Sequence, residues 1–160
     1  MTDFASLIKH LSAESVEFIV IGGFAGTIHG AARLTVDLDV VYSRTPENIE
    51  RLAAALSDLE PYPRGAPAGL PFKFDVSTIQ RGMNFTLTTA VGDLDLLGEV
   101  TGGGSYEELL SSTELVTVFE KTVRCLNLEK LIHVKRAAGR PKDFEAIAEL
   151  ERLNELDDPN

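Results

Sequence analysis

A Gly22-Gly23 pair is followed, after thirteen intervening residues, by two aspartates in Thr35-Val36-Asp37-Leu38-Asp39-Val40-Val41. Successive side chains of a strand point to opposite faces, so residues two apart share one. Read as a strand, Thr35, Asp37, Asp39 and Val41 line one face, and Val36, Leu38, Val40 and Tyr42 the other. The second set is continuously apolar and requires a core. The first sets two carboxylates side by side. Neighbouring acids repel and are costly to desolvate without a positive charge between them. A divalent metal ion is the simplest such charge, and carboxylate-held divalent ions point to phosphate chemistry.

Three further stretches bear on the same chemistry. Val20-Ile21-Gly22-Gly23 runs from an apolar strand into a glycine turn and then into Phe24-Ala25-Gly26, a helix start. Such a turn presents backbone N–H groups to an anion and lets a phosphate approach closely. It is neither a Walker loop nor a G-x-G-x-x-G fingerprint. Val91-Gly92-Asp93-Leu94-Asp95-Leu96-Leu97 brings a second pair of acids. Asp93, beside glycine, reads as a turn residue. Asp95, between leucines, is the better third carboxylate, although spacing alone does not decide between the two. Finally, Lys130, His133, Lys135, Arg136, Arg140 and Lys142 form a basic run in an acidic chain. A basic helix corner suits a triphosphate or a phosphorylated acceptor, whereas single charges on it, Arg136 in particular, read equally as a solvated face. His133, among apolar neighbours, reads as structural.

These residues need elements to hold them. Phe4, Leu7, Ile8 and Leu11 recur at helical spacing over Asp3 to Ala13, with Thr2 as the expected cap. Phe18 to Ile21 is a short buried strand, and Phe24 to His29 a short helix stopped by Gly30. Thr35 to Tyr42 is the carboxylate strand. Pro46 opens a helix running to about Leu59. Pro61, Pro63, Pro67 and Pro71, with Gly65 and Gly69, predict a loop without regular structure, of a length that is often functional. Met83 to Thr88 and Leu94 to Gly98 form a hairpin turning at Gly92-Asp93. Gly102-Gly103-Gly104 reads as a flexible break, followed by one or two helical turns over Tyr106 to Leu110. Leu115 to Val118 and Thr122 to Cys125 read as short strands. Asn127 caps a helix over Leu128 to Ala138 ended by Gly139, and Pro141 opens a last helix to about Leu156.

With 160 residues and 44% hydrophobic side chains, the chain suits a single domain with a real core. The expected division is a core over about 18–126 and a helical segment over about 127–157. The net charge of −10 disfavours broad non-specific binding to nucleic acid, while leaving room for a local basic pocket. A lone Cys125 excludes an internal disulfide and, in an apolar run, reads as a buried structural thiol. No leader or membrane span is legible, so a cytoplasmic protein without a membrane partner is expected.

Together the motifs resemble the nucleotidyltransferase superfamily, the polymerase-beta-like group. Its signature is an apolar residue, glycine and a second small residue, then a spacer, then Asp, apolar, Asp or Glu, apolar. Here that is Ile21-Gly22-Gly23 and Asp37-Leu38-Asp39-Val40, and the later third carboxylate of the pattern maps to Asp95. Within the superfamily the chain looks most like the minimal nucleotidyltransferases and the AbiEii-type enzymes of type IV toxin–antitoxin systems. Arg33-Leu34-Thr35-Val36-Asp37-Leu38-Asp39 is similar to their Arg-x-Thr-x-Asp-apolar-Asp, and Lys135, Ala138, Arg140 and Lys142-Asp143 to their C-terminal Lys/Arg/Asp motif. At 160 residues the sequence is shorter than the larger toxins, and their long helical C-terminal region is not expected in it.

The resemblance implies an α+β fold, a mixed sheet flanked by helices with further helices at the C-terminus. It implies transfer of a nucleoside monophosphate from an NTP to a hydroxyl or phosphate acceptor. Asp37 and Asp39 would bridge two Mg2+ ions, and Asp95 would complete the metal site and help deprotonate the acceptor. Gly22 and Gly23, with Arg33, Thr35, Lys135, Arg140 and Lys142, would bind the nucleotide. A small molecule, a tRNA end and a protein hydroxyl all remain open as acceptors, as do a protein partner and a homo-oligomer. The alternative is a non-catalytic member that binds a nucleotide or a partner.

Overall fold

Leu38, Val40 and Tyr42 alternate with Asp37, Asp39 and Val41, and this alternation fixes how the central strand faces the rest of the protein. The structure is a computed structural model and describes residues 1–157. In it Leu38, Val40 and Tyr42 are wholly buried, as the pattern requires, while Val36, expected with them, is exposed. The carboxylate strand accordingly begins at Asp37 rather than Thr35.

That strand, β2 (Asp37–Tyr42), pairs antiparallel with β1 (Phe18–Ile21) and parallel with β5 (Gly92–Leu97). The sheet continues beyond β5 through β4 (Phe85–Thr89) to β3 (Tyr62–Pro63). Beyond β1 it continues through β9 (Lys121–Leu126) to β8 (Thr113–Val118). The result is one mixed seven-stranded sheet. Helices α1 (Phe4–Ala13), α2 (Gly22–Ile28), α3 (Pro46–Leu56) and α4 (Val76–Arg81) accompany its first half. A small hairpin of β6 (Glu99–Val100) and β7 (Gly104–Ser105) leads to α5 (Tyr106–Leu109), and α6 (Leu128–Ala138) and α7 (Phe144–Asp157) close the chain. This is the α+β architecture that the sequence implied, with C-terminal helices. No helix among the described residues is long and apolar enough to cross a membrane.

Local chemistry accounts for most boundaries. Asn127 accepts the Lys130 N–H to cap α6, and Gly139 ends it in the left-handed region at φ 66°. Thr45 caps α3 just before Pro46. Cys125 is buried, which pushes its thiol up to about 12, as befits a packing residue.

Four local expectations are corrected. Asp3, not Thr2, caps α1 by accepting the Ser6 N–H. Thr2 instead joins the starts of β2 and β5: its hydroxyl donates to the Val36 carbonyl and accepts the Asp93 N–H at 3.0 Å. The turn of the β4–β5 hairpin is Ala90-Val91, so Asp93 is a strand residue and not a turn residue. The Pro61–Pro71 stretch is not wholly irregular, because Tyr62 and Pro63 pair with Thr88 and Leu87. Proline is tolerated there because β3 lies at the sheet edge, where one side of the strand has no ladder to complete. Gly102-Gly103-Gly104 is a packed turn. A Cβ on Gly102 would collide with Ala137, and one on Gly103 would lie 3.0 Å from Leu109 and 3.3 Å from Val134. The glycines therefore bring the β6–β7 hairpin against α6.

Candidate active site

The parallel register of β2 and β5 sets Asp37 beside Asp93 and Asp39 beside Asp95. The same register sets Leu38 beside Leu94 and Val40 beside Leu96, all four wholly buried on the opposite face. Four carboxylates thus occupy one patch of the sheet because the leucine and valine positions between them must face the core. Asp37, Asp39 and Asp95 each offer an oxygen within 4.8 Å of the other two. Asp93 shares the face but stands outside this group. Asp95, the acid favoured from the sequence as the third carboxylate, is the one that lies in this group.

The glycine pair explains itself sterically. Gly22 sits at φ 69°, and a Cβ there would collide with the carboxylate of Asp39. A Cβ on Gly23 would lie 2.7 Å from the Thr35 hydroxyl. Both residues must be glycine for the β1–α2 turn to lie flat against β2. Thr35 in turn donates to the Asp37 carbonyl at 3.1 Å, steadying the start of the strand.

Opposite the acids, α6 and the segment after Gly139 close a cavity of about 250 Å3. Gly22, Asp39, Asp95, Lys135 and Arg140 all line it, with Leu97, Val100, Leu131 and Val134 as an apolar wall. Lys135 and Arg140 lie on either side of the left-handed Gly139, and both line the cavity that Asp39 and Asp95 line. Arg140 is steadied by its Nε donating to the buried Asp143 at 2.7 Å. Arg136 faces elsewhere and clasps Glu151 of α7.

Other residues expected at the nucleotide are employed differently. Arg33 pairs with Glu145 at 3.0 Å and Glu149 at 3.7 Å, tying the loop before β2 to α7. Neither Arg33, Thr35, Lys142 nor Gly23 lines the acidic cavity, and Lys142 is exposed. One central residue was not anticipated. Arg64, just past β3, donates to Asp95 Oδ1 at 2.8 Å and to the Leu87 carbonyl at 2.6 Å. It also lies 3.7 Å from Asp37 and 3.5 Å from Asp93. The parity of the edge strand carries the signal: Tyr62 pairs with Thr88, and the Arg64 N–H reaches the Thr86 carbonyl, so Arg64 falls on the acid face.

The electrostatics follow from crowding. Burial, then the charges of Asp37 and Asp95, push the Asp39 carboxyl up to about 8, and Lys135 pulls the other way. Asp37 is also raised, by burial and then by Asp95, with Arg64 opposing. Asp39 Oδ1 is buried and has no hydrogen-bond partner. An orphaned carboxylate oxygen, two neighbouring acids and a glycine that clears space beside them fit a divalent cation.

This arrangement makes stability depend on pH. An aspartate in the unfolded chain ionises near 3.8, whereas folded Asp39 keeps its proton to about 8. Between those values the folded state binds the extra proton, so stability falls as pH rises through the window. In chelator, the melting temperature is expected to drop between pH 5 and pH 8, and Asp39→Asn to flatten that drop. A wild-type curve that rises over this range, or is unaltered by Asp39→Asn, contradicts the burial of an unneutralised acid.

No protein-family model matches the sequence, and a search of curated proteins finds no match. Solved structures do match. A Thermotoga maritima protein, TM1012, itself an inferred nucleotidyltransferase, superposes with a TM-score of 0.56 at 16% identity, over 93% of this chain and 89% of that one. ANT(2″)-Ia in complex with adenylyl-2″-tobramycin gives 0.57 at 16% identity, over 92% and 83%. The solution structure of the antibiotic-resistance factor ANT(2″)-Ia gives 0.56 at 14% identity, over 94% and 86%. Likeness across nearly the whole length of both partners, at such low identity, is a statement about architecture: this chain has the nucleotidyltransferase fold.

Proposed function

We propose that the chain is a Mg2+-dependent nucleotidyltransferase that moves a nucleoside monophosphate from an NTP to a hydroxyl or phosphate acceptor. The observation that carries this reading is the convergence of Asp37, Asp39 and Asp95 within 4.8 Å, two of which, Asp39 and Asp95, line a cavity together with Lys135 and Arg140. Phosphoryl and nucleotidyl transfers need positioning and charge neutralisation more than covalent catalysis, and this is what the residues offer.

Asp37, Asp39 and Asp95 would hold Mg2+, which supplies Lewis-acid polarisation of the phosphate and cancels the carboxylate repulsion. Gly22 lets the β1–α2 turn approach the triphosphate without a side chain in the way. Lys135 and Arg140 neutralise phosphate oxygens across the cavity. The acceptor oxygen attacks the α-phosphorus, the bond to the bridging oxygen breaks and pyrophosphate leaves. Asp95 would take the acceptor proton.

Incubation with each α-labelled NTP, Mg2+ and cell extract tests the reading and locates the acceptor. Lys135→Ala and Arg140→Ala are expected to lower kcat/KM at least about tenfold, the scale of one charge-assisted contact. Arg136→Ala, clasped to α7, is expected to stay near wild type. Three variants all near wild type would reduce the basic corner to solvated surface.

A second reading, a non-catalytic nucleotide binder, draws on one observation. Arg64 donates to Asp95 and approaches Asp37, so the chain's own side chain meets part of the acids' charge. Label that binds but never transfers would favour it. Membership in a toxin–antitoxin-type pair is the finer reading. Its support is the Arg33-to-Asp39 stretch, and its test is a co-expressed partner that suppresses transfer.

A further inference from the structure

Arg64 is more than a surface charge that happens to lie near acids. A solvated loop arginine makes one mobile pair worth little. This one keeps only 28% of its side chain exposed and spreads its fork over three carboxylates, on two strands, and a backbone carbonyl. Its Nε is buried without a hydrogen-bond partner, 3.5 Å from Asp93. It is also held by very little backbone. The strand that delivers it is two residues long and sits at the sheet edge.

We propose that Arg64 is a built-in counter-cation of the acidic site, a positioning residue that holds Asp37 and Asp95 until a divalent ion displaces it. The inference rests on the metal reading above. A guanidinium and a divalent ion compete for the same carboxylates: Asp95, whose Oδ1 lies 2.8 Å from Arg64, and Asp37, 3.7 Å from it, are two of the three acids gathered for a metal. Their positive charges also repel at this range, so loading an ion requires the guanidinium to withdraw. The short pairing of β3 makes withdrawal a local event: Tyr62–Thr88, Pro63–Leu87 and the bond from the Arg64 N–H to the Thr86 carbonyl are what tie it to β4. The arginine would thus keep three crowded acids ordered in the metal-free protein and make metal affinity weaker than the acids alone would give.

The test is titration of the metal-free full chain with Mn2+ alone, by calorimetry and by loss of the free Mn2+ spin-resonance signal. Arg64→Gln, which keeps an amide for the Leu87 carbonyl but no charge, is expected to bind Mn2+ at least about tenfold more tightly than wild type. Arg64→Lys, which keeps the charge, is expected to stay near wild type. Should Arg64→Gln fold less stably, Mn2+ is expected to raise its melting temperature more than it raises that of wild type. Unchanged or weaker Mn2+ binding by Arg64→Gln overturns the proposal, as does Arg64→Lys binding as tightly as Arg64→Gln. Absence of Mn2+ binding in both wild type and Arg64→Gln overturns the metal reading itself, and the proposal with it.

Discussion

Asp95→Asn is expected to lower nucleotidyl transfer at least about a hundredfold, and Asp93→Asn to leave it within a few-fold of wild type. The two acids lie on one strand, on one face, two residues apart, so composition and exposure do not separate them. Position does. Asp95 pairs in register with Asp39, lines the cavity and joins the three-acid cluster. Asp93 pairs with Asp37 one step further out and stands 3.5 Å from Arg64. On the proposed mechanism, removing the charge of Asp95 would take away a metal ligand and the acceptor's proton acceptor at once. Removing that of Asp93 leaves Arg64 its shorter bonds to Asp95 and the Leu87 carbonyl. Single-turnover transfer of label is the measurement, and the reverse ranking would place the reacting atoms over the other end of the patch.

What the sequence revealed and what it hid divide along one line. Inside a strand or at a clear cap such as Asn127 the local reading agrees with the structure, but at the ends of elements it does not: Val36 is exposed and Asp3 caps α1 in place of Thr2. Asp37 and Asp39 share a face because Leu38 and Val40 cannot be exposed, and α6 runs from Asn127 to Gly139 as its caps dictate. Wherever the decisive contact is distant, it failed. Arg64 was invisible because Tyr62–Thr88 pairing spans a proline-rich stretch that reads as a breaker, and only an edge strand forgives Pro63. Asp93 was misplaced because the Ala90-Val91 turn carries no Asn-Gly or Asp-Gly signal, so glycine at 92 drew the turn forward. Thr2 was read as a helix cap when its partners lie on two strands far along the chain. Arg33 belongs to a nucleotide-binding motif by resemblance, yet its carboxylate partners come from α7, more than a hundred residues later.

The central claim is that the Asp37–Asp39–Asp95 cluster binds a divalent ion together with an NTP. It predicts that Mg2+ with NTP, added at about a hundred times the dissociation constant, stabilises the folded chain by about 2.7 kcal/mol. For a chain of this size that is a melting-temperature rise of roughly 5–10 °C. The double variant Asp37→Asn, Asp39→Asn is expected to lose the rise entirely. It is not expected to do so by unfolding. Relieving the repulsion and burial that raise both acids is expected to lift the ligand-free melting temperature at pH 8. The most direct measurement is therefore the melting temperature of wild type and double variant at pH 8, with and without Mg2+ and NTP. The account predicts a higher baseline and no response in the variant, against a clear response in wild type. A double variant that still gains stability from Mg2+ and NTP would put the metal site elsewhere and contradict it.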